Sequence, residues 1–136
     1  MMGLARPAMA RVDGIGFWKL CGSGTGEGFT PVPNTGVYAI LATWPDLNTA
    51  RDQIANAKIY NRYRHRAEED WTVFLSPTSV RGQWSGVTPF EADRAAEQGP
   101  VAALPRATIK PRAALRIWKR VPDISSVIGL DDNVVF

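Results

Sequence analysis

Short apolar runs in the first part of the chain predict β-strands. Residues 16–21, GFWKLC, are bulky and apolar and end at a glycine cluster, which is typical of a strand. Residues 37–44, VYAILATW, contain only Thr43 as a polar position, so we expect a second strand that is buried on both faces. A third run at residues 71–75, WTVFL, is rich in aromatic and β-branched side chains and predicts a third strand.

A helical pattern separates the second and third predicted strands. Asp46 stands at an N-cap position, because its carboxylate can accept a hydrogen bond from an amide of the first helical turn. The apolar positions that follow recur at intervals of three, four and three residues, so they form one stripe that we expect to face the core. The stripe consists of Leu47, Ala50, Ile54 and Ala57. Residues 60–70 remain compatible with a helix but are crowded with charge.

A segment without apolar periodicity divides the chain. Residues 88–99, TPFEADRAAEQG, contain a proline, a closing glycine and several acidic side chains, and we predict a linker there between a first unit, residues 1–87, and a second, residues 100–136. In the second unit we expect a strand at residues 101–109. A helix should follow from Pro111 to about Val121, where Pro122 would end it. Its predicted apolar stripe is Ala114, Leu115, Trp118 and Val121.

The two ends of the chain resemble each other loosely. Residues 9–17 and residues 127–136 both pass from short apolar residues through an acidic turn into an apolar strand. This indicates a duplicated unit of the ferredoxin-like kind. We therefore predict an α+β fold, an antiparallel sheet with helices on one face. On this interpretation the chain is truncated at both ends, because the first unit lacks its opening strand and the second stops in mid-strand.

Composition and charge exclude several classes of protein. The net charge of +3 and the pI near 9.4 are too small an excess to indicate nucleic-acid binding. Cys21 is the sole cysteine, so no intramolecular disulfide can form and we expect a cytoplasmic protein. Residues 1–16 lack the continuous apolar stretch of a signal peptide. The longest apolar run is too short to cross a bilayer, so any membrane contact should be peripheral.

The glycine-rich stretch after the first strand has two interpretations. Residues 21–28, CGSGTGEG, alternate glycine too strictly for a P-loop or a dinucleotide fingerprint. A flexible loop is the simpler interpretation. The functional one is a loop whose backbone closes over a flat ligand, with Glu27 as its charged group.

Charged residues elsewhere leave further alternatives. His65 is the sole histidine and lies among arginines in residues 60–66, YNRYRHR, so a surface histidine is favoured over a haem ligand or a general base, and we predict no metal ligand. The same run could bind phosphates or bases, but a salt-bridged helix end beside the acidic residues 68–70 is favoured. Near residue 80, Arg81 and Trp84 could hold an acidic or flat group or could fix a loop.

Longer motifs point to a known family. Residues 16–31, GFWKLCGSGTGEGFTP, residues 38–46, YAILATWPD, and residues 71–86, WTVFLSPTSVRGQWSG, are its most specific stretches. Residues 100–136 continue the likeness, which covers nearly the whole chain. Together these stretches resemble the spheroidene monooxygenase family.

The resemblance implies a fold, a chemistry and a set of site residues. It implies a dimeric α+β barrel, hence a homodimer, and an O2-dependent oxidation that installs a keto group on an acyclic carotenoid with a haem cofactor and an external electron donor. The substrate-binding residues that it implies are Phe17, Trp18, Lys19, Glu27 and Phe29. The residues implied to support the haem are Arg81 and Trp84.

The resemblance also leaves the activity of this chain open. The family begins earlier and continues further, and the iron ligand is expected in that additional part, so we expect that this chain does not hold haem alone and we assign no catalytic residue. At family level the chain is an enzyme. The alternatives are a non-catalytic ligand-binding or dimerisation module of the same barrel type, or an inactive gene fragment.

Overall fold

Helices and a small sheet make up the regular structure of the chain. The computed structural model describes residues 2–25, 32–93, 99–128 and 130. Its elements in chain order are α1 (Met2–Met9), β1 (Trp18–Gly24), β2 (Pro33–Ala42), α2 (Leu47–Asn56), α3 (Lys58–Arg64) and α4 (Pro111–Ile128). The predicted α+β class is confirmed.

The sheet of the described residues is an antiparallel pair, β1 and β2. Both strands were predicted from their apolar runs, and the structure extends β1 to Gly24 and begins β2 at Pro33. The prediction that the second strand is buried on both faces is wrong, because Val37 and Tyr38 are 52% and 44% exposed. A strand buries a face only where another element packs on it, and an apolar sequence cannot supply that element by itself.

The predicted N-cap begins α2. Asp46 has an extended backbone with φ −158° and ψ 166°, and its carboxylate accepts hydrogen bonds from the Thr49 amide at 2.8 Å and the Thr49 hydroxyl at 2.6 Å. Ala50 is buried as predicted, and Ile54 and Ala57 are half-buried. Leu47 departs from the predicted stripe, since it lies in the first turn and is 44% exposed.

Arg64 secures the charged end of α3. Its guanidinium donates to the Ile54 carbonyl and to the Asn61 side chain, each at 2.6 Å, and its Nε lies 3.5 Å from the Asp70 carboxylate. One arginine therefore connects the end of α3 to the α2 backbone and to the acidic segment. The predicted salt-bridged helix end is confirmed at Asp70.

The buried core centres on α1, which the sequence pattern did not predict. Met9 is fully buried, and Ala5, Val12 and Ile59 of the same cluster are less than a tenth exposed. Half-buried side chains that pack around them are Ala8, Ile15, Trp18, Leu20, Ile40, Trp44, Ala57, Tyr60 and Tyr63. The helix has only eight residues and includes Pro7, so its sequence has too few turns for a clear helical period.

The third predicted strand is not formed. Residues 71–75 have no regular secondary structure, and Trp71 and Leu75 are 85% and 66% exposed. A strand needs a neighbour to complete its hydrogen bonds, and no described strand pairs with this run. The predicted strand at residues 101–109 is likewise irregular and exposed.

The chain divides into two compact units. One consists of Met1–Leu20 with Ile40–Gly99 and contains the buried core, and the other consists of Cys21–Ala39 with Pro100–Phe136 and contains α4. The predicted division into residues 1–87, 88–99 and 100–136 stays a prediction. The predicted repeat at residues 127–136 lies mostly outside the described ranges, which leave out residues 129 and 131–136.

Helix α4 differs from its predicted form in length and exposure. It begins at Pro111 as predicted but continues past Pro122 to Ile128. A proline has helix-compatible φ and removes one amide donor, so a helix can continue past it at an energetic cost. Leu115 is 79% exposed, so it is not part of a buried stripe, and the side chains of Trp118 and Val121 lie outside the described part.

None of the helices that the structure describes combines the length and apolarity needed to cross a membrane.

Met9 provides a test of the core. Because its side chain is fully buried, Met9→Ala should leave a cavity and lower the free energy of unfolding by about 3 kcal/mol, as measured by urea denaturation. The matched control is Leu75→Ala, which removes an apolar side chain that is 66% exposed and should change stability little. Equal losses in both variants would contradict the assignment of the core to α1.

Asp46 provides a pH test of the N-cap. Hydrogen bonds from the Thr49 side chain and then from the Thr49 backbone lower the pKa of Asp46 below its usual value of 3.8. A carboxylate whose pKa is lower in the folded state stabilises the fold above the unfolded pKa and loses that contribution as the pH falls through the folded pKa. Asp46→Asn keeps a capping side chain without the charge.

The stability of wild type should therefore exceed that of Asp46→Asn at about pH 6, and the difference should shrink towards about pH 2. Urea midpoints across this range provide the measurement. The control is Asp13→Asn, which removes an exposed carboxylate with no hydrogen-bond partner among the described residues. A constant difference across the range would contradict the proposed role of the Asp46 charge.

Candidate functional site

Hydrogen bonds to Thr43 hold the backbone that enters β1. The Phe17 amide donates to the Thr43 hydroxyl at 2.8 Å, the Thr43 amide donates to the Phe17 carbonyl at 2.8 Å, and the Gly16 amide donates to the Thr43 carbonyl at 2.9 Å. A Cβ on Gly16 would lie 2.6 Å from the Thr43 hydroxyl oxygen, which is closer than side chains tolerate. Glycine is therefore required for this approach.

Side chains alternate along the strand, so neighbouring residues have different surroundings. Trp18 and Leu20 pack against the buried core. Phe17 and Lys19 have the opposite parity along the chain, and their side chains meet each other instead, with the Lys19 ammonium 4.9 Å from the centre of the Phe17 ring. The backbone at Thr43 thereby determines which residues remain available to a ligand.

Aromatic rings from a distant part of the chain pack on Phe17. The Trp84 ring centre lies 5.6 Å from that of Phe17 with the planes tilted by 58°, and Phe90 meets Phe17 edge-on at 6.4 Å and 72°. Both geometries are among those that aromatic pairs prefer. We call Phe17, Lys19, Trp84, Ser85 and Phe90 the Phe17 cluster.

A tight turn presents Trp84 and Ser85. Trp84 and Val87 exchange backbone hydrogen bonds of 2.8 and 3.3 Å around the turn. The two residues between them have positive φ, 55° at Ser85 and 80° at Gly86, which are the signs of a type I′ turn. The Ser85 hydroxyl accepts a hydrogen bond from the Lys19 ammonium at 3.0 Å, so the turn is connected to β1.

The structure brings together some of the residues implied by the family resemblance. Phe17, Lys19 and Trp84 lie in one cluster. Trp18 instead packs against the core. Arg81 is exposed, and in the described part of the chain it makes no hydrogen bond or ion pair. The substrate-binding predictions for Glu27 and Phe29 lie outside the described residues.

Two members of the cluster were not among the predicted site residues. Phe90 falls in the segment predicted as a linker, and Ser85 was one turn residue among several. Each is identified only by its contact in the structure, Phe90 with Phe17 just before β1 and Ser85 with Lys19 of β1. No periodicity or motif in the sequence signals either contact.

The charged run around His65 has a structural explanation. The His65 ring lies at the exposed C-cap of α3, and its Nδ1 is 2.8 Å from the Asn61 carbonyl. Tyr60 and Tyr63 pack against the core, where burial raises the pKa of Tyr60 to about 12. Both tyrosine rings are half-buried and contribute to the packing around the core.

A haem iron needs an axial ligand from the protein, which is a histidine in many haem proteins. The sole histidine is exposed rather than enclosed by apolar side chains. Within the described ranges, no group of three or more histidine, cysteine, aspartate or glutamate side chains is placed to hold a metal ion. The Phe17 cluster combines packed aromatic rings with one cation beside them.

Comparisons with known proteins identify relatives of one kind. The chain is 52% identical over 121 residues to a spheroidene monooxygenase of Cereibacter sphaeroides, covering 88% of the chain and 37% of that protein. It is 46% identical over 138 residues to one of Rhodobacter capsulatus, covering 99% and 57%. A spheroidene monooxygenase of Rubrivivax gelatinosus is 34% identical over 112 residues, covering 82% and 43%.

The chain thus spans between 37% and 57% of the length of these curated relatives. No protein-family model matches the chain. No solved structure matches it either.

Thr43 provides a test of the site backbone. Thr43→Val removes the hydroxyl and leaves the Phe17 amide without its acceptor, so we expect the free energy of unfolding to fall by about 1 kcal/mol in urea denaturation. The matched control is Thr78→Val, at an exposed threonine for which the structure gives no hydrogen bond. If both variants are as stable as wild type, Thr43 does not hold this backbone.

Proposed function

This chain belongs to the spheroidene monooxygenase family, and from that premise we propose that it takes part in the O2-dependent insertion of a keto group into an acyclic carotenoid. The observation that supports this function is the Phe17 cluster. Its Phe17 ring meets Trp84 at 5.6 Å and Phe90 at 6.4 Å, beside the strand that contains the most specific family motif.

The cluster suits the physical character of a carotenoid. A long conjugated polyene is flat and apolar, so it binds best to aromatic and aliphatic surface with few polar groups. Phe17 and Trp84 are both half-buried, so each still has surface for a ligand. Their tilted geometry presents ring faces and edges to a molecule that lies along β1.

The oxidising group has to come from elsewhere than the described side chains. A haem supplies the activation of O2 in the chemistry that we propose, and its iron ligand would come from residues that this chain does not include. The chain would contribute side chains that line the substrate-binding site. Arg81 is exposed and could pair with a haem propionate, which is the role proposed for it.

We also propose the partners that this chemistry requires. They are an external electron donor, a second copy of the chain in a homodimer, and peripheral contact with the membrane in which an apolar carotenoid dissolves. The exposed apolar residues at positions 71–75 supply surface for such contacts.

A chimera tests the proposed activity. This chain replaces the matching part of the Rhodobacter capsulatus spheroidene monooxygenase, to which it aligns over 99% of its length. In a host that accumulates spheroidene and lacks its own monooxygenase, the chimera should form the ketone, measured by chromatography of extracted pigments. A folded chimera that forms no ketone would contradict the proposed function.

Trp84→Ala in the same chimera should lower ketone formation about tenfold, because it removes the ring that packs on Phe17. The matched control is Tyr38→Ala, which removes an aromatic ring that is 44% exposed and outside the cluster. Equal loss in the two variants would show that the Phe17 cluster has no particular role.

A further inference from the structure

We propose that Lys19, positioned by Ser85, is a specificity residue that recognises one oxygen atom on an otherwise apolar polyene. The inference rests on the proposed function, since it assumes that the ligand lies on the Phe17 cluster. It assigns to one side chain the recognition of an ether, hydroxyl or keto oxygen on the ligand, through a hydrogen bond from the Lys19 ammonium.

The Lys19 ammonium keeps hydrogen-bond donor capacity after its contact with Ser85. An ammonium has three N–H donors. One donates to the Ser85 hydroxyl at 3.0 Å, and the charge lies 4.9 Å from the centre of the Phe17 ring, which attracts it without accepting a conventional hydrogen bond. Among the residues that the structure describes, no carboxylate pairs with Lys19. Donor capacity therefore remains beside an aromatic surface.

Covering the Lys19 ammonium with an apolar ligand costs free energy. Lys19 is half-buried and its hydrogen bond to Ser85 is exposed, so the ammonium is accessible to solvent. A polyene lying on the Phe17 cluster would displace part of this water. An oxygen on the ligand could replace the lost hydrogen bond, whereas a pure hydrocarbon would leave a charged donor unsatisfied. Sites built around a hydrogen bond discriminate strongly against ligands that lack the matching group.

The backbone conformation at Ser85 holds its hydroxyl in place beside Lys19. Its φ of 55° is in the left-handed region, which is uncommon for a residue with a Cβ, and the adjacent Gly86 is the residue type that the conformation favours. Ser85 keeps this conformation while its hydroxyl accepts from an ammonium 66 residues away in the chain. The turn thus fixes where the charge lies, which makes Ser85 a positioning residue.

Binding of two polyenes to the purified chain tests the inference. The probes are an acyclic hydrocarbon polyene and a polyene of the same length with one terminal methoxy group, each titrated in detergent solution and followed by quenching of tryptophan fluorescence. Wild type should bind the methoxy polyene about tenfold more tightly than the hydrocarbon, as expected for one charge-assisted hydrogen bond.

Substitutions then assign the preference to Lys19. Lys19→Met keeps the apolar stem of the side chain but removes the donors, so the preference should be lost and the two polyenes should bind with equal affinity. The matched control is Lys58→Met, at an exposed lysine in the first turn of α3, which should retain the wild-type preference. Circular dichroism checks that each variant is folded, and Lys19→Arg, which keeps a cationic donor, should retain a preference.

Ser85→Gly separates positioning from a merely structural role. Glycine accepts the positive φ, so the turn should form while the hydroxyl is lost. We expect the preference for the methoxy polyene to fall although the affinity for the hydrocarbon stays the same. A general loss of structure would lower both affinities together.

The inference can fail in two distinguishable ways, either together with the proposed function or by itself. If neither polyene binds to wild type, the proposed function fails and the inference falls with it. If both bind equally, or if Lys19→Met keeps the preference, the proposed function stands and the role of Lys19 is refuted.

Discussion

The hydrogen bonds between Thr43 and the backbone of Gly16 and Phe17 determine the arrangement of the candidate site. They fix the start of β1 against the end of β2 at distances of 2.8 to 2.9 Å. Because side chains alternate along a strand, this one constraint places Trp18 against the core and leaves Phe17 and Lys19 to meet each other and the turn around Ser85. A shift of one residue would exchange the two sets.

The candidate site also needs a second segment of the chain that packs against Phe17 and Lys19. It comes from the turn between Trp84 and Val87 and from Phe90, which are far from β1 in the sequence. The contacts are of two kinds, aromatic packing on Phe17 and one hydrogen bond from Lys19 to Ser85. Aromatic packing provides contact area but does not favour one position along an elongated ligand. A hydrogen bond is directional, so it favours the position in which donor and acceptor meet. A surface that combines them can select a flat apolar molecule and also set its position.

Several sequence predictions failed where burial decides the structure. The apolar run at residues 71–75 predicted a strand, yet it is irregular and exposed, and the second strand was expected to be buried on both faces, yet Val37 is 52% exposed. Conversely, Met9 is fully buried in a helix that shows little periodicity. An apolar side chain is buried only if another element covers it, and the identity of that element is a tertiary property.

The sequence by itself determined the features that depend on neighbours in the chain. These are the capping of α2 by Asp46, the positions of β1 and β2, and the family motif that points to Phe17, Lys19 and Trp84. Each relies on residues a few positions apart or on a continuous run of residues. The tertiary structure alone decided which of those residues meet. Ser85 and Phe90 join the cluster, and Trp18 leaves it for the core, because the contacts are made between residues up to 73 positions apart and no local pattern encodes such a distance.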